Sequence, residues 1–194
     1  VVLFIFRIFY PKYKQMKMNR DSLKVSQVAI FTSLAVVGRL SMVILPNVSP
    51  VAPLTFISGY LGGGYTGFLV GSLTMVISDL FIGFGPWTIF TSLFMGIVGL
   101  IGGLVSYRIG SRTTLFLIIY LSVLIYDIGT SISTLALFGV PFQIALINLF
   151  MPVFILGIPY PMGPIHEFSS TILTIAILDI LKRFRFVEVI KLGE

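Results

Sequence analysis

Apolar residues run along this chain in long unbroken stretches, and polar or helix-breaking residues arrive in clusters between them. A basic run, Lys12, Lys14, Lys17, Arg20 and Lys24, precedes the first stretch, Ser26 to Leu45, which Pro46-Asn47-Val48-Ser49-Pro50 closes. Pro53 and Gly62-Gly63-Gly64 confine a second helix to about Val51–Leu61, and Tyr65–Ile82 follows, ending at Gly83-Phe84-Gly85-Pro86. Trp87 to Tyr107 forms a fourth stretch, and the basic turn Arg108-Ile109-Gly110-Ser111-Arg112 leads to a fifth, Thr113–Phe138. Gly139 and Pro141 break that one. Phe142 to Ile158 is apolar but contains Pro152, and Pro159-Tyr160-Pro161-Met162-Gly163-Pro164 separates it from a last stretch, Ile165–Leu181, which meets Lys182-Arg183-Phe184-Arg185. Runs of about 18 apolar residues read as spanning helices, because hydrocarbon obliges a backbone to satisfy its own hydrogen bonds. The strict alternation of a lipid-facing barrel strand is absent. The pattern predicts an all-α integral membrane protein with Ser22 as cap of the first helix.

Charge fixes the expected number of crossings. If Val51–Leu61 crosses and Phe142–Ile158 does not, six spans place 11 of the 13 Lys and Arg on one face and none in the opposite loops. Joining Val51 to Ile82 into one span exports Arg108 and Arg112, and counting every stretch exports the C-terminal cluster. The positive-inside rule favours the first arrangement, with both termini cytoplasmic. The short second helix must then sit inside the bundle or thin the bilayer, and Phe142–Ile158 becomes a re-entrant or interfacial segment.

Composition sharpens this reading. Of 194 residues, 57% are hydrophobic and 10% charged, and the mean hydropathy is +1.06, more apolar surface than a soluble domain of this size hides. The net charge of +6 flanks apolar spans. Its partner is therefore the anionic face of a lipid bilayer, not nucleic acid. Cysteine is absent, which excludes disulfides and thiolate metal sites. We expect one membrane domain, 26–185, between a basic segment, 1–25, and a short cytoplasmic tail, 186–194. The opening VVLFIFRIFY is too short to span; with Met16 and Met18 following, translation is expected to start downstream of Val1.

The candidate chemistry lies in one leaflet. At about 1.5 Å per residue, Arg39 falls roughly 9 Å and Asp79 roughly 5 Å below the outer ends of their helices. Asp127, next to Tyr126, falls in the outer half of the fifth span, and His166-Glu167 opens the last. An ionisable residue inside a membrane is a site hypothesis by default. Each also has a plainer reading: Arg39 and Asp79 as an ion pair fastening two helices, His166-Glu167 as a helix start favoured by the dipole, and Trp87 as an interfacial anchor. The proline-rich loops Pro46–Pro53 and Pro159–Pro164, with Phe84-Gly85-Pro86-Trp87, would roof the cluster, and Asn47, Phe84, Trp87 and Tyr160 from them, with Asn148 from the Phe142–Ile158 segment, are expected in a substrate site. Glycines 62, 63, 64, 67 and 71, and 96, 99, 102 and 103, serve close helix packing.

Several reaction classes are missing. There is no P-loop, no Gly-x-Ser-x-Gly elbow, and His166-Glu167-Phe168-Ser169-Ser170 lacks the second histidine of a zinc protease motif. The residues describe a binding site without a reaction, so neither catalytic residues, nor a metal, nor a cofactor are expected.

The run SGYLGGGYTGFLVGSLTMVISDLFIGFGPWTIFTSLFMGIVGLIGG, with Ser78-Asp79 near the end of the third helix and Gly85-Pro86-Trp87 ahead of a Gly-rich fourth, resembles the substrate-binding S-components of energy-coupling factor (ECF) transporters. The resemblance covers roughly 26–184. It implies a six-transmembrane-helix bundle in the plasma membrane that captures a vitamin or related micronutrient in an outward-facing pocket. It also implies docking on an ECF module made of a transmembrane scaffold and two ABC ATPases. Small residues on the first helix serve docking in that family; Ala29 and Ser33 are the nearest match here. Gly85-Pro86-Trp87-Thr88 looks like loops of members taking cobalamin-type ligands, although Ile89-Phe90-Thr91 departs from that pattern. One Arg against Asp79, Asp127 and Glu167 favours a neutral or cationic ligand. Two other classes compete: a stand-alone ion- or proton-coupled carrier with Asp79 and Asp127 as relays, and an assembly factor, which internal pairing of both acids and a filled outer cavity would favour.

Overall fold

The computed structural model describes residues 20–45, 48–106, 111–144, 147, 152–155 and 158–183. Among them are six helices of 12 residues or more: α1 (Arg20–Ser41), α2 (Val51–Gly62), α3 (Gly64–Ile82), α4 (Trp87–Val105), α5 (Arg112–Leu137) and α6 (Met162–Arg183). Two four-residue strands, β1 (Pro152–Ile155) and β2 (Ile158–Pro161), pair antiparallel between α5 and α6, with Pro152 opposite Pro161 and Val153 opposite Tyr160. Five helices are long and apolar enough to cross a membrane; α2 is not.

Successive helices run up and down beside one another. The end of α1 meets the start of α2 at Gly38 and Pro50, while the start of α1 meets the end of α2 at Gln27 and Gly62. Gly64 at the start of α3 lies against Gly103 near the end of α4, and Phe94 early in α4 lies against Gly129 late in α5. The last two helices are tied at both ends, by Asp127 to His166 and by Arg112 to Asp179. The ends of α1, α3 and α5 therefore share one end of the bundle with the starts of α2, α4 and α6.

The exterior is far more apolar than that of a soluble protein. Val25, Ile30, Leu34 and Val37 on α1, Leu80 and Phe81 on α3, and Phe168, Ile172 and Ile180 on α6 are exposed, whereas threonines, serines and acids share the interior with an apolar core. Lipid is as apolar as a leucine side chain, so an apolar exterior costs nothing there and the polar groups turn inward.

The short helix α2 spans only about 18 Å, against a hydrocarbon core of about 30 Å. The structure resolves the mismatch by encasing it: residues from Val51 to Leu61, Leu54 excepted, are buried, and Phe56, Ile57 and Tyr60 join Met75, Met95, Val98, Ile119 and Leu178 in the core. Glycine makes this packing feasible. A Cβ on Gly59 would strike the Gly99 carbonyl, and one on Gly67 would strike both Gly99 and the Gly59 Cα, so α2, α3 and α4 meet backbone to backbone. Gly63, at φ +87°, makes the sharp turn that keeps α2 and α3 from being one helix.

Several expected boundaries move. α1 starts at Arg20, so Ser22 is not its cap; the Ser22 carbonyl instead accepts from Ser26 Oγ inside the helix. It ends at Ser41, before Leu45, where Leu45 N–H bonds to the Met42 carbonyl in a turn. The proline that follows disfavours helix in the residue before it. α6 begins at Met162 and takes Pro164 into its first turn, where the missing N–H goes unused. Part of Phe142–Ile158 forms β1, and a four-residue strand covers about 13 Å, too short to cross. Residues 1–19 and 184–194 lie outside the described residues, and with them most of the expected N-terminal segment and the tail.

Candidate functional site

Two polar groups occupy the end of the bundle where α1, α3 and α5 finish. The first joins three helices. Arg39, in the last turn of α1, donates through Nη1 to Asp79 Oδ1 at 2.7 Å and to Ser78 Oγ, both near the end of α3. Ser78 Oγ in turn donates to the Thr74 carbonyl at 2.6 Å. Thr88, in the first turn of α4, donates to Asp79 Oδ2 at 2.7 Å and accepts from the Gly85 N–H at 3.3 Å. Asp79 is 2% exposed, and both of its oxygens are engaged. The early end of α1 brings Arg39 to within two residues of the helix end, about 3 Å, instead of the expected 9 Å. The network therefore sits at the rim of the bundle.

The second group joins α5 and α6. His166 Nδ1 lies 2.8 Å from each oxygen of Asp127. With a carboxylate as acceptor, Nδ1 carries the proton, and Nε2 is the ring's remaining polar atom. Tyr126 stands edge-on to the imidazole at a centroid distance of 5.8 Å. Because α6 starts three residues earlier than expected, His166 and Glu167 lie in its second turn, past the reach of the reading that had them merely open the helix.

Glu167 differs from the other acids. It is 1% exposed and its Oε2 has no hydrogen-bond partner. One turn below, Ser170 is equally buried and its Oγ is also unpartnered, whereas Thr171 and Thr174 on the same stripe bond back to the carbonyls of Glu167 and Ser170. A buried polar atom left unsatisfied costs about 1–3 kcal/mol, so such atoms call for a water or a ligand. Thr32, Thr55 and Thr74 carry further unpartnered hydroxyls on α1, α2 and α3.

Of the predicted site residues, the structure gathers Arg39 with Asp79, and Tyr126 with Asp127, His166 and Glu167. Phe84 is 59% exposed. Trp87 folds over Gly85 and leaves contact with Asp79 to its neighbour Thr88. Tyr160 has its backbone in β2 opposite Val153; Asn47 and Asn148 lie outside the described residues. Ala29 and Ser33 share the exposed face of α1, where Ser33 Oγ donates to the Ala29 carbonyl at 2.7 Å. Ser78, Thr88 and Ser170 are the members that charge-based reading passed over. A hydroxyl spaced to face a buried acid was the available signal, at 88 against 79 across the loop and at 170 one turn after 167. No cluster of three or more metal-binding side chains occurs among the described residues.

Compared with known families, residues 19–183 match the model of the ECF-type riboflavin transporter, S component. Neither the curated proteins nor the solved structures gave a match.

Proposed function

The chain belongs to the ECF-type riboflavin transporter S-component family, and from that premise we propose that it captures a neutral, flavin-like vitamin at the rim where Glu167 and Ser170 are left unpartnered. It is a multi-pass membrane protein and a substrate-binding subunit of an ECF transporter. The finer reading is that all six helices cross, α2 inside the others, with both termini on the cytoplasmic side. The start of α1, the start of α5 and the end of α6 share the end that carries Lys24, Arg112, Lys182 and Arg183, as the positive-inside rule requires. That orientation turns the Asp127–His166–Glu167 group outward.

The buried Glu167 oxygen is the observation that carries the proposal. Asp79 and Asp127 are internally paired, which leaves neither free for a proton relay and gives the carrier reading little to work with. Pairing of both acids is also what a purely structural role asks for, but such a role has no use for an unpartnered carboxylate oxygen. Glu167 Oε2 is an acceptor for an imide or hydroxyl donor, Ser170 Oγ offers a donor or acceptor, and His166 Nε2 offers one more contact. A riboflavin-type ligand is neutral and rich in such groups, and membership of the riboflavin transporter family moves the choice to it from a cobalamin-like one. Docking on the ECF module and its ABC ATPases is assigned to the exposed small residues Ala29 and Ser33, which let another helix approach closely.

The test is native mass spectrometry of the purified full chain, followed by flavin fluorescence titration of the Glu167→Gln variant. We expect a co-purified flavin and an affinity loss of about tenfold or more, equivalent to about 1.4 kcal/mol, with unchanged or higher thermal stability. Loss of stability with unchanged affinity would mean that Glu167 is structural.

A further inference from the structure

The opposite end of the bundle holds a cavity of about 220 Å³ between the start of α5 and the end of α6, lined by Ser111, Arg112 and Leu115 from one and Ile175, Leu178, Asp179 and Lys182 from the other. We infer that this cavity is a binding site for the phosphate-bearing headgroup of an anionic membrane lipid. It is separate from the vitamin site: Asp127 lies 15 residues along α5 from Arg112, about 22 Å by helical rise.

Its size excludes some occupants. Pockets for drug-sized molecules enclose roughly 300–1,000 Å³, so a second vitamin does not fit. A single water claims about 30 Å³, so the space exceeds what one water or bare ion fills.

Its lining selects among the rest. Arg112, Asp179 and Lys182 form the rim, while Leu115 and Ile175 lie about one turn deeper along their helices, and Leu115 and Leu178 are buried. Polarity therefore falls from the mouth toward the bilayer interior, the same order that a lipid presents from phosphate to acyl chain. Asp179 opposes an anion, but Arg112 engages it through Nη2, which leaves the other edge of the guanidinium available. Together Arg112 and Lys182 outweigh it by one positive charge, and Arg183 adds another next to the rim. Both members of the Arg112–Asp179 pair are substantially exposed, at 73% and 46% of their side chains, so the mouth is open. Basic pockets between transmembrane helices at the cytoplasmic boundary are where anionic headgroups bind.

The experiment uses the full chain in nanodiscs of phosphatidylcholine mixed with phosphatidylglycerol, with retained lipids counted by native mass spectrometry. Retention of phosphatidylglycerol over phosphatidylcholine is expected, reduced about fivefold for each charge removed in Arg112→Gln and in Lys182→Gln. Lys182→Gln leaves the Arg112–Asp179 pair intact, so it remains informative if Arg112→Gln disturbs the helix ends, and Lys182→Arg should restore retention. Equal retention of the two lipids, or retention unaffected by both Gln variants, overturns the inference. Binding of inorganic phosphate to delipidated protein without phosphatidylglycerol preference would assign the cavity to a free anion and overturn the lipid assignment as well.

Discussion

Replacing Arg39 should destabilise this protein more than replacing the aspartate it pairs with. In Arg39→Gln the Asp79 carboxylate, with 3% of its side chain exposed, keeps Thr88 but loses its counter-charge. Breaking a buried pair from one side costs about 3–5 kcal/mol; the surviving hydrogen bond from Thr88 puts the expected loss at the lower end, about 3 kcal/mol. In Asp79→Asn the stranded partner is Arg39, whose side chain is 23% exposed and long enough to reach water at the rim. That loss should be nearer 1–2 kcal/mol. The double variant removes both charges at once and should cost about 2 kcal/mol, well short of the sum, which gives a coupling of roughly 2–3 kcal/mol. Unfolding titrations in mixed micelles, followed by helical circular dichroism, would measure all three. If Asp79→Asn costs more than Arg39→Gln, or if the two losses add to within about 0.5 kcal/mol, the network is not the buried clamp described above.

Other expectations concern single features. Gly67→Ala and Gly99→Ala push a Cβ into facing backbone that has no side chain to move aside; each should cost at least the 1–3 kcal/mol of overpacking, read from the same titration. Ser170→Ala removes a hydroxyl that has no internal partner, so flavin affinity should fall about two- to tenfold while stability holds. A bulky residue at the exposed face of α1, Ser33→Leu, should reduce pull-down of the ECF module about tenfold and leave flavin affinity within about twofold. Thr88→Val deletes the hydroxyl bonded to the Asp79 carboxylate and should cost about 1.5–3 kcal/mol without altering vitamin specificity.

The helices were legible because apolar runs and glycine or proline breaks are local signals: Gly63 and Gly83 end α2 and α3 where the chain alone placed them. What moved were the ends set by contacts. Met42-Val43-Ile44-Leu45 would suit a helix apart from the proline that follows, and α1 ends before them, where Pro50 returns against Gly38. Pro164 reads as a breaker, yet one place in a helix tolerates it, and β2 delivers the chain to that place. Counting charges pointed to the residues at the end of the bundle where α1, α3 and α5 finish, since an acid in an apolar run needs a reason. It missed Thr88 and Ser170 because a hydroxyl in an apolar run needs none: it can bond to its own helix, as Thr171 and Thr174 do. The cavity at the other end was invisible for a related reason, as Arg112 and Asp179 are 67 residues apart and only the packing of α5 on α6 makes them neighbours.

The glycine seam through α2, α3 and α4 divides the molecule mechanically. Where main chain rests on main chain there are no rotamers to exchange, so these three helices form a rigid frame. The α5–α6 half, whose two helices are tied to each other by two ion pairs, meets that frame through side chains, and it is the part able to yield. Admission and release of a vitamin would then work as a door swinging on a fixed jamb, and amide hydrogen exchange would register the division as slow in one half and fast in the other.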